Sequence, residues 1–297
     1  MRWVGQVRWT PHSKPESTTL PSATIPRRAL ILLVILTLVW GTNWPLLAIA
    51  MREISVWTFR AFAVVIAGCS LLLVARARGQ SLVIERKYWA VICTATFFYL
   101  VVWNIATAYA AVMLPSGQAA VLGERMSLRL LMAVALGGAS VTLLMVPSFA
   151  AYASAPLGML YGLVAGLGWA IGTLILKRSK VDVPVIVLTG WQLLITAVPT
   201  VIGALVFGDG HWFMPTWQTI AVIAYISLVP MCVGNVCWFA IVGMLPANVA
   251  GLSSIMVPVV AMVSGALMHG EPLGLPQVAA MVCCVASLSL ALLQPKG

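Results

Sequence analysis

Three histidines, seven carboxylates and six cysteines are where acid–base, nucleophilic or metal chemistry would first be sought in this chain of 297 residues. His12, His211 and His269 stand in a polar N-terminal stretch or at the ends of apolar runs, and Glu16, Glu53, Glu85, Glu124, Asp182, Asp209 and Glu271 all lie outside the centres of those runs. Cys69, Cys93, Cys232, Cys237, Cys283 and Cys284 sit inside apolar runs without the paired spacing a structural zinc requires, and read as small buried hydrophobes. No metal or cofactor is expected, and neither is a membrane acyl or phosphoryl transferase, which needs a nucleophile, base or metal cluster near an interface. The interiors of the apolar runs hold amides, hydroxyls and aromatic rings instead. The expected solute-binding set is Asn43, Trp44, Tyr99, Trp103, Asn104, Trp169, Gln192, Tyr225, Asn235, Trp238 and Ser253. Amide groups and freed backbone bind an ammonium and a carboxylate, and aromatic faces attract the ammonium and pack an apolar side chain. That chemistry suits zwitterions with varied side chains. Pro45, Pro115, Pro230, Pro246 and Pro258 interrupt apolar runs and are the expected hinges.

The elements that carry these residues follow from composition. The chain is 62% hydrophobic and 8% charged, with mean hydropathy +1.03, against about 25% charged residues in a soluble domain. Windows of about 19 residues predict helices over 28–50, 55–75, 88–113, 129–146, 156–176, 185–207, 216–243, 246–268 and 276–293. The net charge of +10 lies in short clusters flanking these runs, so it reads as the positive bias of cytoplasmic loops and not as a nucleic-acid surface. Residues 1–27 form a polar tail without a signal-peptide core, expected on the cytoplasmic side.

An internal repeat divides the rest into 28–147 and 156–294. Asn104 to Pro115, NIATAYAAVMLP, aligns with Asn235 to Pro246, NVCWFAIVGMLP, at an offset of 131. Farther on, Gly123-Glu124 aligns with Gly270-Glu271 at an offset of 147, so sixteen residues of the second half have no counterpart in the first. A tenth helix is therefore truncated or omitted after Leu114-Pro115. Omission is the expectation, because a loop at membrane depth leaves backbone unpaired in lipid, and an intact-mass measurement decides between the two. With ten helices every basic cluster falls on one side, leaving only Arg52 and Arg60 near the other. The expected fold class is an all-α integral membrane protein: ten transmembrane helices as two inverted five-helix repeats, with a solute site near mid-membrane between the halves.

Trp40-Gly41-Thr42-Asn43-Trp44-Pro45, Phe59-Arg60-Ala61, Leu114-Pro115, Gly123-Glu124, Leu245-Pro246 and Gly270-Glu271-Pro272, in that order and duplicated, resemble the drug/metabolite transporter superfamily. Within it the chain looks most like the EamA-like ten-helix exporters, and among these like the bacterial aromatic amino acid exporter branch. The resemblance implies a carrier of the bacterial inner membrane, with both termini cytoplasmic, that exports amino acids, aromatic and other neutral ones, through a central cavity by alternating access. No deep carboxylate or histidine is there to relay protons, so facilitated export by a monomer is the expectation. The alternative is another small metabolite or drug, such as a nucleotide sugar or a cationic compound. A phosphorylated solute calls for a deep Lys or Arg and a cationic one for an embedded Glu, and neither is expected here.

Bland readings stand beside these. Trp57, Trp89, Trp212 and Trp217 read as interfacial anchors. Asn104 and Asn235 serve equally well as ties between helices. Arg60, one turn inside the second helix and close to the outer face, could attract a substrate carboxylate, but pairing with Glu53 or snorkelling to headgroups is the first expectation. Gly158-Gly162-Gly166 and Gly137-Gly138 are expected to allow close helix packing.

Overall fold

The computed structural model describes residues 26–107, 128–145, 156–179, 181–208, 215–245, 250, 254–270 and 273–292, and among them no strand occurs. Nine helices are described: α1 (Arg27–Ala50), α2 (Val56–Ala77), α3 (Arg86–Thr107), α4 (Leu128–Met145), α5 (Pro156–Arg178), α6 (Val185–Phe207), α7 (Trp217–Met244), α8 (Val257–His269) and α9 (Leu275–Leu292). Six are long and apolar enough to cross a membrane: α1 over Arg27–Leu47, and all of α2, α3, α5, α6 and α7. The third predicted span is described as far as Thr107. The tenth helix falls on residues 108–127, outside the described residues, and so does the question of its truncation.

Local chemistry sets the helix ends. Pro26 and Pro184 hold extended backbone ahead of α1 and α6. Ser55 and Thr216 are extended N-caps whose hydroxyls accept the N–H groups of Thr58 and Thr219, at 3.1 and 3.4 Å. Gly270, at φ +67°, closes α8 in the left-handed conformation that only glycine takes without cost. Leu73, Leu205, Leu267 and Leu275 point outward. In water such a surface is a liability; against hydrocarbon it is the solvated face.

The helices pack in exchanged pairs. α1 lies on α7 as α5 lies on α3, while α2 crosses α6 and α4 crosses α9. The α2/α6 crossing is reciprocal: a Cβ on Gly68 would lie 2.8 Å from Leu194, and one on Gly190 2.7 Å from Leu72. Both pairs are 122 residues apart (190 − 68 and 194 − 72), so equivalent residues meet their counterparts across a pseudo-two-fold axis. Close approach of α5 to α3 depends on Gly168 and Gly172, whose added Cβ would meet the Phe98 and Ala95 carbonyls at 2.7 and 2.5 Å. This corrects the expectation placed on Gly162 and Gly138, which face open space; Gly137 does pack closely, on Ile255.

Contacts also order the helix ends. Glu53, in the α1–α2 turn, binds Thr216 ahead of α7, and Trp57 of α2 stacks on Phe207 at the end of α6. At the other end Trp191 of α6 donates to the Leu82 carbonyl between α2 and α3, and Lys177 of α5 donates to the Val242 and Leu245 carbonyls closing α7. Each of α5, α6 and α7 therefore runs opposite to its counterpart among α1, α2 and α3. Arg27, Arg28, Arg76, Arg78, Arg86, Lys87, Lys177 and Arg178 all gather at one end, and Arg52 and Glu53 mark the other.

Candidate functional site

α3 and α7 each widen into a π-helical segment, Phe97–Val102 and Ser227–Gly234. The repeat offset of 131 carries 97–102 onto 228–233, so the two segments are equivalent. A π turn breaks the regular i→i−4 ladder and leaves a carbonyl short of its partner, and such turns are frequent at functional sites. Here the amides of the repeat reach back into the π segments: Asn104 Nδ2 donates to the Leu100 carbonyl at 2.8 Å, and Asn235 Nδ2 to the Met231 carbonyl at 2.9 Å. Both asparagines are buried, and Asn235 Oδ1 accepts from the Tyr99 hydroxyl at 2.9 Å across the halves. The counterpart of Tyr99 at the same offset is Pro230, which has no hydroxyl. Asn104 Oδ1 is accordingly buried without a partner among the described residues.

Between the π segments lies an aromatic cluster. Trp169 and Trp238 have ring centroids 4.7 Å apart, and Trp40, absent from the expected set, stands 5.8 and 5.9 Å from them. Trp40 rests on Gly234 and donates from Nε1 to the Pro230 carbonyl at 3.2 Å, another π-segment group satisfied by a side chain. Tyr99 joins the cluster through Trp169 and Phe239, at 6.3 and 5.0 Å. At the centre of the described bundle these rings close on one another. Trp238 Nε1 has no acceptor there.

The residue that sequence reasoning misplaced is Arg60. It is 2% exposed and pairs with no carboxylate among the described residues. Its guanidinium lies over the Trp103 ring at 5.0 Å, Nη2 donates to Thr107 Oγ1 at 3.3 Å, and Nε has no acceptor. The expected partner Glu53 is engaged elsewhere, accepting from the Thr216 N–H and hydroxyl at 2.9 and 2.7 Å. These bonds to Thr216 hold the Glu53 carboxyl below the usual glutamate range. Snorkelling is also excluded, because α3 covers the side chain. A buried cation without a carboxylate partner is costly even one turn inside a membrane helix, which marks it as a candidate functional group. The signal available in the sequence was the lack of any acid one turn away within α2.

The remaining expected residues scatter around this core. Asn43 is buried with Oδ1 unpartnered, and Gln192 is wholly buried with neither amide atom satisfied. Trp44 and Tyr225 share a second apolar cluster with Phe59 and Ile226, where the Tyr225 hydroxyl meets Thr42 Oγ1 at 3.0 Å. Pro45 and Pro230 stand inside helices, while Pro258 occupies the first turn of α8, where no N–H is required, directly after a 3-10 turn at Ser254–Met256. Ser253, Pro115 and Pro246 lie outside the described residues. Of the cysteines, Cys69 and Cys93 face outward instead of being buried. Trp57, expected as an anchor, packs on Gly203 of α6.

Comparison with known proteins adds likenesses of sequence and fold to this geometry. Residues 156–293 match the model of the EamA-like transporter family. The chain is 24% identical over 282 residues to the uncharacterized transporter YvbV of Bacillus subtilis (strain 168), across 89% of this chain and 91% of that one. A solved crystal structure is similar with a TM-score of 0.72 at 18% identity, covering 89% of this chain and 96% of the other, a likeness of fold alone. None of the three names a solute.

Proposed function

We propose that this chain is a membrane carrier of the EamA-like kind that exports amino acids, aromatic and other neutral ones, by alternating access between two inverted halves of five helices each. The observation that carries the reading is the pair of equivalent π segments, each held open by a repeat asparagine and facing the other across the tryptophan cluster. Helices weakened at matching depths in the two halves are where such bundles flex and bind. The packed rings act as the closed centre of a path, and the unsatisfied atoms of Asn43, Asn104, Gln192 and Trp238 are the groups a solute or water would engage as the halves rock apart. Among the described spans no carboxylate lies within the hydrocarbon, which favours facilitated transport over proton coupling. The basic end faces the cytoplasm of a bacterial inner membrane. Buried Arg60 raises a second reading, a phosphorylated metabolite, by supplying a desolvated basic group near one end of the bundle that could hold a phosphate.

The test is flux in liposomes loaded with labelled phenylalanine, tryptophan, threonine, a nucleotide sugar or a quaternary ammonium, with and without a pH gradient. Amino-acid flux above empty liposomes and indifferent to the gradient is the expected result. Flux of the nucleotide sugar alone would replace the first reading by the second, flux of the quaternary ammonium alone would overturn both, and flux only with a gradient would overturn facilitation.

A further inference from the structure

Resting on the carrier reading, we propose that Arg60, Trp103 and Thr107 form an oxyanion-binding subsite, so that the transported solute must bear a carboxylate or a phosphate. The guanidinium is built into the protein on two sides, and its Nε–H is buried with no acceptor among the described residues. Trp103 covers one face, and Nη2 is fixed by Thr107 Oγ1, which itself donates to the Trp103 carbonyl at 2.6 Å. Trp103 and Thr107 are four residues apart on one helix, so ring and hydroxyl form a single wall on consecutive turns. Of the five N–H donors of the fork, the described residues engage one; Nε–H, on the edge that binds oxyanions in bidentate fashion, has no acceptor.

Charge points the same way. Glu53 is held by Thr216, Glu85 by Lys87 at 2.6 Å, and Asp182 lies at the basic end, so no carboxylate described in the protein neutralises Arg60. A buried cation with no anion among the described residues is a site for one brought from outside. Arg60 stands about 6 Å along α2 from its first residue, one turn in from the end opposite the basic clusters. There it meets a solute at the mouth of the path and not at the tryptophan cluster. A cation of similar size finds the same charge repulsive.

The experiment titrates purified full-length protein, by quenching of tryptophan emission, with phenylalanine, with phenethylamine, which lacks only the carboxylate, and with glucose 6-phosphate. Saturable quenching by phenylalanine or glucose 6-phosphate, and none by phenethylamine, is expected; the pattern between the first two distinguishes a carboxylate site from a phosphate site. Arg60→Gln should weaken that binding about ten- to hundredfold, the loss of a charge-assisted pair, and Arg60→Lys should restore part of it. Phenethylamine binding as well as phenylalanine, silence with both oxyanions, or unchanged affinity in a folded Arg60→Gln protein would overturn the subsite. Should Arg60→Gln fail to fold, the three solutes on the unaltered protein decide the question alone. Oxyanion binding without liposome flux sinks the carrier reading and leaves the subsite; flux that is equal for phenylalanine and phenethylamine does the reverse.

Discussion

The Tyr99 hydroxyl and Asn235 Oδ1 form a bond 136 residues apart in sequence, wholly buried, between helices of opposite halves. Tyr99→Phe leaves the ring contacts in place but strips the acceptor of its donor, which should lower thermal stability in detergent by about 1 kcal/mol; an unchanged melting temperature would mean that Asn235 finds another partner. Glu53 gives a pH signature. Its folded-state pKa is lowered by the Thr216 bonds, so its contribution is complete above the ordinary glutamate value of 4.5 and fades as pH falls through the lower folded value. Acidification below that range should therefore destabilise the protein more than its Glu53→Gln variant, as read by melting curves across pH. At this scale the sequence was least legible. Tyr99, Asn104, Asn235 and Trp238 were all marked from their polarity in apolar runs, yet nothing in one dimension shows that Glu53 turns toward Thr216 instead of Arg60. Pairing depends on which helix lies across the gap, and that is a property of packing.

Helices are where the sequence speaks most plainly, because a run of about 20 apolar residues admits few alternatives in hydrocarbon. The expected ranges for α5 and α6 differ from the described ones by two residues at most, whereas the predicted start of α8 at 246 lies outside the described residues. The π segments left no mark in composition, since five-residue and four-residue hydrogen-bond registers use the same side chains. Only the structure shows why Asn recurs at 104 and 235. Small residues were misassigned for a related reason: many glycines flank one another in α5, and the facing helix selects which of them matter. Gly172→Ala, whose Cβ would strike the backbone of Ala95 and Tyr99, should destabilise the α3–α5 contact by about 1 to 3 kcal/mol, whereas Gly162→Ala, in open space, should be neutral or slightly stabilising. Melting temperatures of the two variants side by side check this; equal shifts would place the contact elsewhere.

Across the whole molecule, the gathering of arginines and lysines at one end predicts how it sits in the membrane. In a background without the six cysteines, Arg78→Cys should resist an impermeant maleimide on intact cells and react in inverted vesicles, and Arg52→Cys should do the opposite. The reversed pattern would turn the proposed direction of transport around. One further feature bears on how such a bundle arose. Where Gly68 meets Leu194 and Gly190 meets Leu72, each half offers the other the same surface, which is the mark of an isologous contact between two identical subunits. A half-length ancestor needs no new surface to make it: two copies suffice. Within one chain, residues away from that crossing are free to differ, and the place that Tyr99 holds in the first half is held by Pro230 in the second. A symmetric pair must present both sides of a guest with the same wall; the fused chain presents two unlike ones, and so has a way to tell one end of a molecule from the other.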